Sequence, residues 1–159
     1  MSRTHRTALA AAVLLAGAGT ALAVVPTAAA DPTLRLTTVA VPDRTTDLDL
    51  GEPGPSTGDV QVFVDDLQRD GETIGTSTGS CTIAALSESR LLVACTATLT
   101  LPRGQITTQG VADEDPAAGP TGFTWAVTGG TGRYAGAGGE VVGTFRPDSD
   151  VVDLEVHLR

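Results

Sequence analysis

The sequence predicts an all-β domain, a sandwich or an antiparallel barrel. No long segment carries apolar residues at helical spacing. Short β-rich runs recur instead, eight of them, between connectors rich in Gly, Pro and Asp. The connectors carry turn chemistry that marks where the chain reverses.

The first run is LRLTTVAV (34–41), and Gly51-Glu52-Pro53-Gly54-Pro55 breaks the chain before VQVFVDDL (60–67). Asp70-Gly71 turns it into ETIGTSTGSCTIAAL (72–86), which is followed by LLVACTATLTL (91–101). Pro102-Arg103-Gly104 leads into GQITTQGV (104–111). GFTWAVT (122–128) and EVVGTF (140–145) come next, and Arg146-Pro147-Asp148 precedes the last run, VVDLEVHL (151–158).

The central hairpin allows a geometric test of its two cysteines. With the connector centred near Glu88, Cys81 faces Cys95, Ile83 faces Val93 and Ala85 faces Leu91. Directly opposed residues at non-hydrogen-bonded positions have Cα atoms about 4.5 Å apart, within disulfide reach. The same register collects Cys81, Ile83, Ala85, Leu91, Val93, Cys95, Ala97 and Leu99 on one face and Thr82, Thr96, Thr98 and Thr100 on the other. That is the pattern of a half-buried strand pair. A cross-strand disulfide closing a loop of about 15 residues is expected to contribute roughly 3 kcal/mol, mainly through the unfolded state. A redox-active couple is the rival reading, but such sites favour Cys-x-x-Cys beside a helix.

Residues 1–30 read as a secretory signal peptide. Arg3, His5 and Arg6 precede an apolar run from Ala8 to Val25, and Ala28-Ala29-Ala30 offers a small-residue cleavage site before Asp31. The remaining residues, 31–159, are expected to form one secreted domain with no membrane insertion after cleavage. That segment holds 8 Arg, no Lys and 19 acidic residues, a net charge of −11. Such a charge gives no electrostatic footprint for nucleic acid or anionic lipid.

Few side chains are placed to carry chemistry. The stretch AVTGGTGRYAGAGGEV (126–141) lacks the Lys of a phosphate-binding loop and the third glycine of a dinucleotide fingerprint. Gly129, Gly130, Gly132 and Tyr134 therefore read as a structural turn. His157, with Asp153 and Glu155 on one strand face, is too spread to wrap a metal, so no metal site is expected. Asp113-Glu114-Asp115, Asp148 and Asp150 read as solubilising loop acids, with a weak calcium site as the alternative. Asp65 and Asp66 are adjacent, so one of them faces inward. Val60, Val62 and Val64 alternate with Gln61, Phe63, Asp65 and Leu67, and this pattern does not settle which. An inward carboxylate in apolar surroundings would have a raised pKa and could act as acid or base. Phe123, Trp125 and Val127 share a strand face, as core or as cavity lining.

Four motifs in this order, GDVQVFVDDLQRDG (58–71), GTSTGSC (75–81), LPRGQITTQG (101–110) and AVTGGTGRYAGAGGEV (126–141), carry a family resemblance. They resemble secreted bacterial proteins with an allene oxide cyclase-like barrel and, more distantly, the plant allene oxide cyclases and dirigent proteins. The resemblance implies an eight-stranded antiparallel β-barrel with a central apolar cavity, often assembled as dimers or trimers. It implies a hydrophobic small-molecule ligand and no metal or organic cofactor, with the substrate held in one conformation beside a few polar groups. Asp65 lies where the cyclases place a polar cavity residue, and Cys81 matches the Cys of their Gly-x-Cys motif. The first strand, TTVAVPD (37–43), has no counterpart of their catalytic Glu, and Ala112 stands in the place of their Tyr. Gly138 stands where dirigent proteins carry Arg.

Three functions follow as expectations. The first is a barrel that binds a hydrophobic molecule, or templates its reaction, in a cavity lined by Phe63, Asp65, Cys81, Val93, Cys95, Phe123 and Trp125. The second is an isomerase or cyclase using Asp65, with Tyr134 as a remote candidate. The third is an extracellular interaction protein whose barrel is filled. An open interior with an inward carboxylate separates the first two from the third.

Overall fold

The structure is a computed structural model that describes residues 33–159; the expected signal peptide lies outside them. It contains nine strands: β1 (Thr33–Val39), β2 (Thr45–Leu48), β3 (Val60–Arg69), β4 (Glu72–Ser87), β5 (Arg90–Leu101), β6 (Gly104–Glu114), β7 (Gly122–Gly130), β8 (Gly139–Phe145) and β9 (Val151–Leu158). All pairings are antiparallel. β3 through β9 pair in sequence, and β1 pairs with β9 on one side and β3 on the other, closing an eight-stranded barrel. Closure leaves no barrel strand at the end of an open sheet.

Each of the eight β-rich runs forms one of these barrel strands. The ninth, β2, is four residues long and pairs only with β3. It exists because a 3-10 turn at Pro42–Arg44 ends β1: proline has no N–H to donate to a ladder. The chain then rejoins β3 further along, with Thr46 opposite Val62.

The β4–β5 register pairs Cys81 with Cys95 and Ile83 with Val93. Beyond Ile83 a bulge shifts it, so that Ala85 faces Leu92 rather than Leu91. The cause is a conflict of parity. The tight turn joins Ser87 to Arg90 through two residues, whereas the disulfide pairing requires a register one residue different. One extra residue on β4 absorbs the mismatch.

The barrel is packed solid at one end. Leu67, Ile106 and Val156 are fully buried there, beside Leu36, Leu101 and Tyr134. Each such large side chain contributes roughly 1.5–3 kcal/mol of transfer free energy. The β7–β8 connector covers this end: the Thr131 N–H donates to Gln105 O at 2.9 Å and the Arg133 N–H to Arg103 O at 2.8 Å. Gly129 and Gly130 end β7 past a bulge in its pairing with β6. A side chain at Gly130 would overlap the Tyr134 carbonyl, and Gly132 takes the left-handed conformation at φ +59°. Tyr134 follows in a 3-10 turn and is buried in the core.

Candidate functional site

The other end of the barrel is hollow. A cavity of about 540 Å³ opens between the Pro42 turn, the β6–β7 connector at Pro120 and the β8–β9 connector at Asp150. Its walls come from strand residues that alternate inward.

On β3, Phe63 and Asp65 line the cavity and Leu67 continues the same face into the solid core. Val62 is exposed, and Asp66 turns outward to accept a hydrogen bond from Arg44 Nη2 at 2.6 Å. Asp65 is therefore the inward carboxylate. It stands opposite Ser77 across the β3–β4 ladder, and Ser77 also lines the cavity. Burial pushes the Asp65 carboxyl up to about 6; the Arg44 cation pulls it back and the Asp66 anion raises it. No hydrogen bond contributes to that balance. Asp65 is thus a half-buried carboxylate without a donor among the described residues.

The aromatic residues form the facing wall. Phe123 and Trp125 stack with ring centroids 3.9 Å apart and planes at 22°. Phe145 meets Phe123 edge-on at 6.0 Å and 70°. Such contacts are worth roughly 0.5–1.5 kcal/mol beyond the area they bury. Glycines on adjoining strands make room for these rings. A methyl group at Gly110 would overlap Trp125 Cδ1, and one at Gly143 would overlap Phe123 Cζ. Gly79, opposite Phe63, is similarly crowded by the Phe63 ring. Trp125 is 9% exposed, and its indole N–H is the one fully buried side-chain polar group without a hydrogen-bond partner among the described residues.

The Cys81–Cys95 disulfide is formed, with Cα atoms 4.1 Å apart and a sequence separation of 14. Cys81 borders the cavity, whereas Cys95 does not and is buried against Ala97 and Trp125, which line it. Val93 packs against that same cluster and does not border the cavity. The polar residues on the wall are Thr38, Thr45, Gln61, Asp65, Ser77, Thr108, Ser149 and Asp150. Thr38, Ser77 and Thr108 are its buried hydroxyls, and Thr108 Oγ1 donates to Ala97 O at 3.3 Å.

Of the other candidates, Asp150 borders the cavity mouth, while His157 and Asp113 lie apart from it. His157 sits by Thr33 Oγ1 at 3.3 Å and Glu155 at 3.7 Å on the β1–β9 pair. Asp113 is held by Arg90 through two hydrogen bonds of 2.9 and 2.8 Å, which keep its carboxyl below the usual range. Among the described residues, no group of three or more His, Cys, Asp or Glu is placed to hold a metal ion.

Sequence reasoning missed the seats of the aromatic rings, Gly110, Gly143 and Gly79, together with Ser77 and Phe145. The available signal was glycine inside a strand-like run, which marks close approach of a neighbouring group.

Comparison with known proteins agrees with this architecture. Among solved structures, "Pyocyanin demethylase" superposes with a TM-score of 0.70 at 29% identity, over 80% of this chain and 99% of that one. An exo-specific intermolecular Diels-Alderase superposes with a TM-score of 0.60 at 21% identity, covering 79% and 96% of the two chains. A pterocarpan synthase dirigent protein gives 0.63 at 14% identity, covering 79% and 82%. No curated protein matches the sequence significantly. The family described as "Allene oxide cyclase barrel like domain" matches residues 37–154, which run from within β1 to within β9 and span nearly the whole barrel. The closed eight-stranded barrel and this match agree, and the chain belongs to the allene oxide cyclase barrel-like domain family.

Proposed function

We propose that the barrel binds a small, largely apolar organic molecule in its hollow end and holds it in a reactive conformation, as a templating protein or a cyclase-like enzyme. The observation that carries this reading is the open cavity of about 540 Å³, walled by stacked aromatic rings and holding one inward carboxylate. Its size suits a small molecule of the usual ligand range, and its polar groups suit orientation of a ligand. The neighbours named as a Diels-Alderase, a dirigent protein and a demethylase support a small organic substrate. A filled interaction barrel is disfavoured by the hollow interior. The formed disulfide supports an oxidising compartment, and so export.

A second reading, an isomerase or cyclase with Asp65 as general acid or base, is favoured by one observation. The Asp65 carboxyl, pushed up to about 6, exchanges its proton near neutral pH at the cavity wall.

The test is mass spectrometry of the natively purified protein, with ligands identified after release. A retained apolar molecule that quenches the single tryptophan and is displaced from a cavity-filled Ala97→Phe variant supports the reading. An empty protein whose Trp125 emission responds to no member of an apolar metabolite panel overturns it.

A further inference from the structure

The lining of the cavity is one-sided in charge. Asp65 stands in the wall and Asp150 at the mouth, and among the described residues no Arg, Lys or His lines the cavity. The nearest counter-charge to Asp65 is Arg44, but its guanidinium is committed to Asp66 on the outer face. Asp65 therefore keeps a carboxylate in half-buried surroundings with no hydrogen-bond donor from the described residues. A buried charge left unpaired is costly, and a bound partner that supplies the opposite charge recovers that cost. Phe123 and Trp125 line the cavity from β7, which stands across the barrel from β3, and the π-electrons of such aromatic rings attract cations.

We propose that the ligand of this cavity is an organic cation: a flat apolar body carrying an amine or a quaternary nitrogen, with the positive centre between Asp65 and the Phe123–Trp125 stack. This rests on the ligand-cavity reading above and adds a charge requirement to it. Neutral molecules of the same shape leave Asp65 unpaired, and anions meet Asp65 and Asp150 with nothing to offset them. Selectivity follows from that repulsion as much as from attraction.

Charge also sets the pH response. The charged groups around Asp65 are Arg44, Asp66 and Asp150, and burial moves the Asp65 carboxyl up to about 6. Cation affinity accordingly rises as pH climbs through about 6 and Asp65 ionises, whereas neutral-ligand affinity stays flat.

Equilibrium dialysis of the whole protein against N-methylquinolinium, its neutral isostere 1-methylnaphthalene and the anion 1-naphthoate tests this. At pH 8 the cation is expected to bind about tenfold or more tighter than the neutral isostere, a difference of roughly 1.4 kcal/mol, with the anion weakest. Asp65→Asn, near-isosteric and checked for folding by its circular dichroism melt, should cut that preference below about threefold while retaining 1-methylnaphthalene. Equal affinity for cation and neutral isostere overturns the charge requirement and leaves the apolar cavity standing. So does a preference undiminished in Asp65→Asn. Binding of neither ligand overturns the cavity reading together with this one.

Discussion

Trp125 lies with its indole against the backbone of Gly110 on the neighbouring strand, in contact that any side chain at 110 would break. The glycine sits in a row that crosses the sheet. Cys81 pairs with Cys95, Cys95 with Gly110, and on the far side Trp125 pairs with Val141. The disulfide and the indole thus flank one residue that has no side chain. Gly110→Ala should push the indole off the wall, destabilise the protein by about 1–3 kcal/mol and shift the tryptophan emission. Urea unfolding monitored by fluorescence reads both. An unchanged midpoint with unchanged emission would show that the contact is dispensable.

The disulfide joins adjacent strands that are already paired along most of their length, so its removal should weaken the fold without changing it. Cys81→Ala with Cys95→Ala is expected to lower stability by about 3 kcal/mol, chiefly by freeing the unfolded chain. Urea titrations of the variant and of the oxidised parent would measure the difference. Equal midpoints would show that the disulfide adds no measurable stability.

Asp65 should make the protein less stable as pH rises. Its folded pKa, about 6, is above the unfolded value, so the folded state holds its proton more tightly. Stability from this group is fully present below about pH 4 and is lost as pH climbs through about 6. Asp59, Asp113 and Asp153 act oppositely, because their carboxyls are held below the usual range and their contribution is lost on strong acidification. Asp65→Asn should therefore be more stable than the parent at pH 7.5, by about 1 kcal/mol once solvent screening at this half-exposed site is allowed for, and equal to it near pH 4. A Tm difference that does not change between those pH values would remove Asp65 as the source.

Arg44 reaches Asp65 only through its field, while its hydrogen bond goes to Asp66. Arg44→Ala should therefore raise the Asp65 titration midpoint further and cost little stability, under about 1 kcal/mol for a partly exposed ion pair. Carboxyl-detected NMR titration reports the midpoint. Movement downward would show that Asp66, released from its partner, does not act on Asp65 as the geometry requires.

The strands were legible because each combines β-rich residues with a turn signal at its end, as from Asp70-Gly71 into β4. β2 was not, because TTDL is too short to show a period and owes its place to the proline turn before it. The choice between Asp65 and Asp66 was hidden by valines on the outer face of β3, where Val62 stays exposed and Val60 and Val64 are only partly buried. The Cys81–Cys95 pairing could be read because a direct cross-strand register is a matter of counting. The bulge beside it could not, since it arises from a turn two residues long competing with that register. The hollow was the least legible feature. It depends on ring orientation, and the orientation is set by glycines that are distant in sequence, as Gly110 is from Trp125.

The solid end and the hollow end also differ in what change they tolerate. Leu67, Ile106 and Val156 sit in the packed half, where a lost methylene leaves a void and its full cost. Residues such as Thr45, Ser149 and Pro120 border open space, where a substitution alters the shape of the opening without disturbing a close-packed neighbour. Mutational drift should therefore be lopsided. Descendants of this chain can exchange one guest for another through changes confined to the rim, while the half that secures folding stays under tight purifying selection.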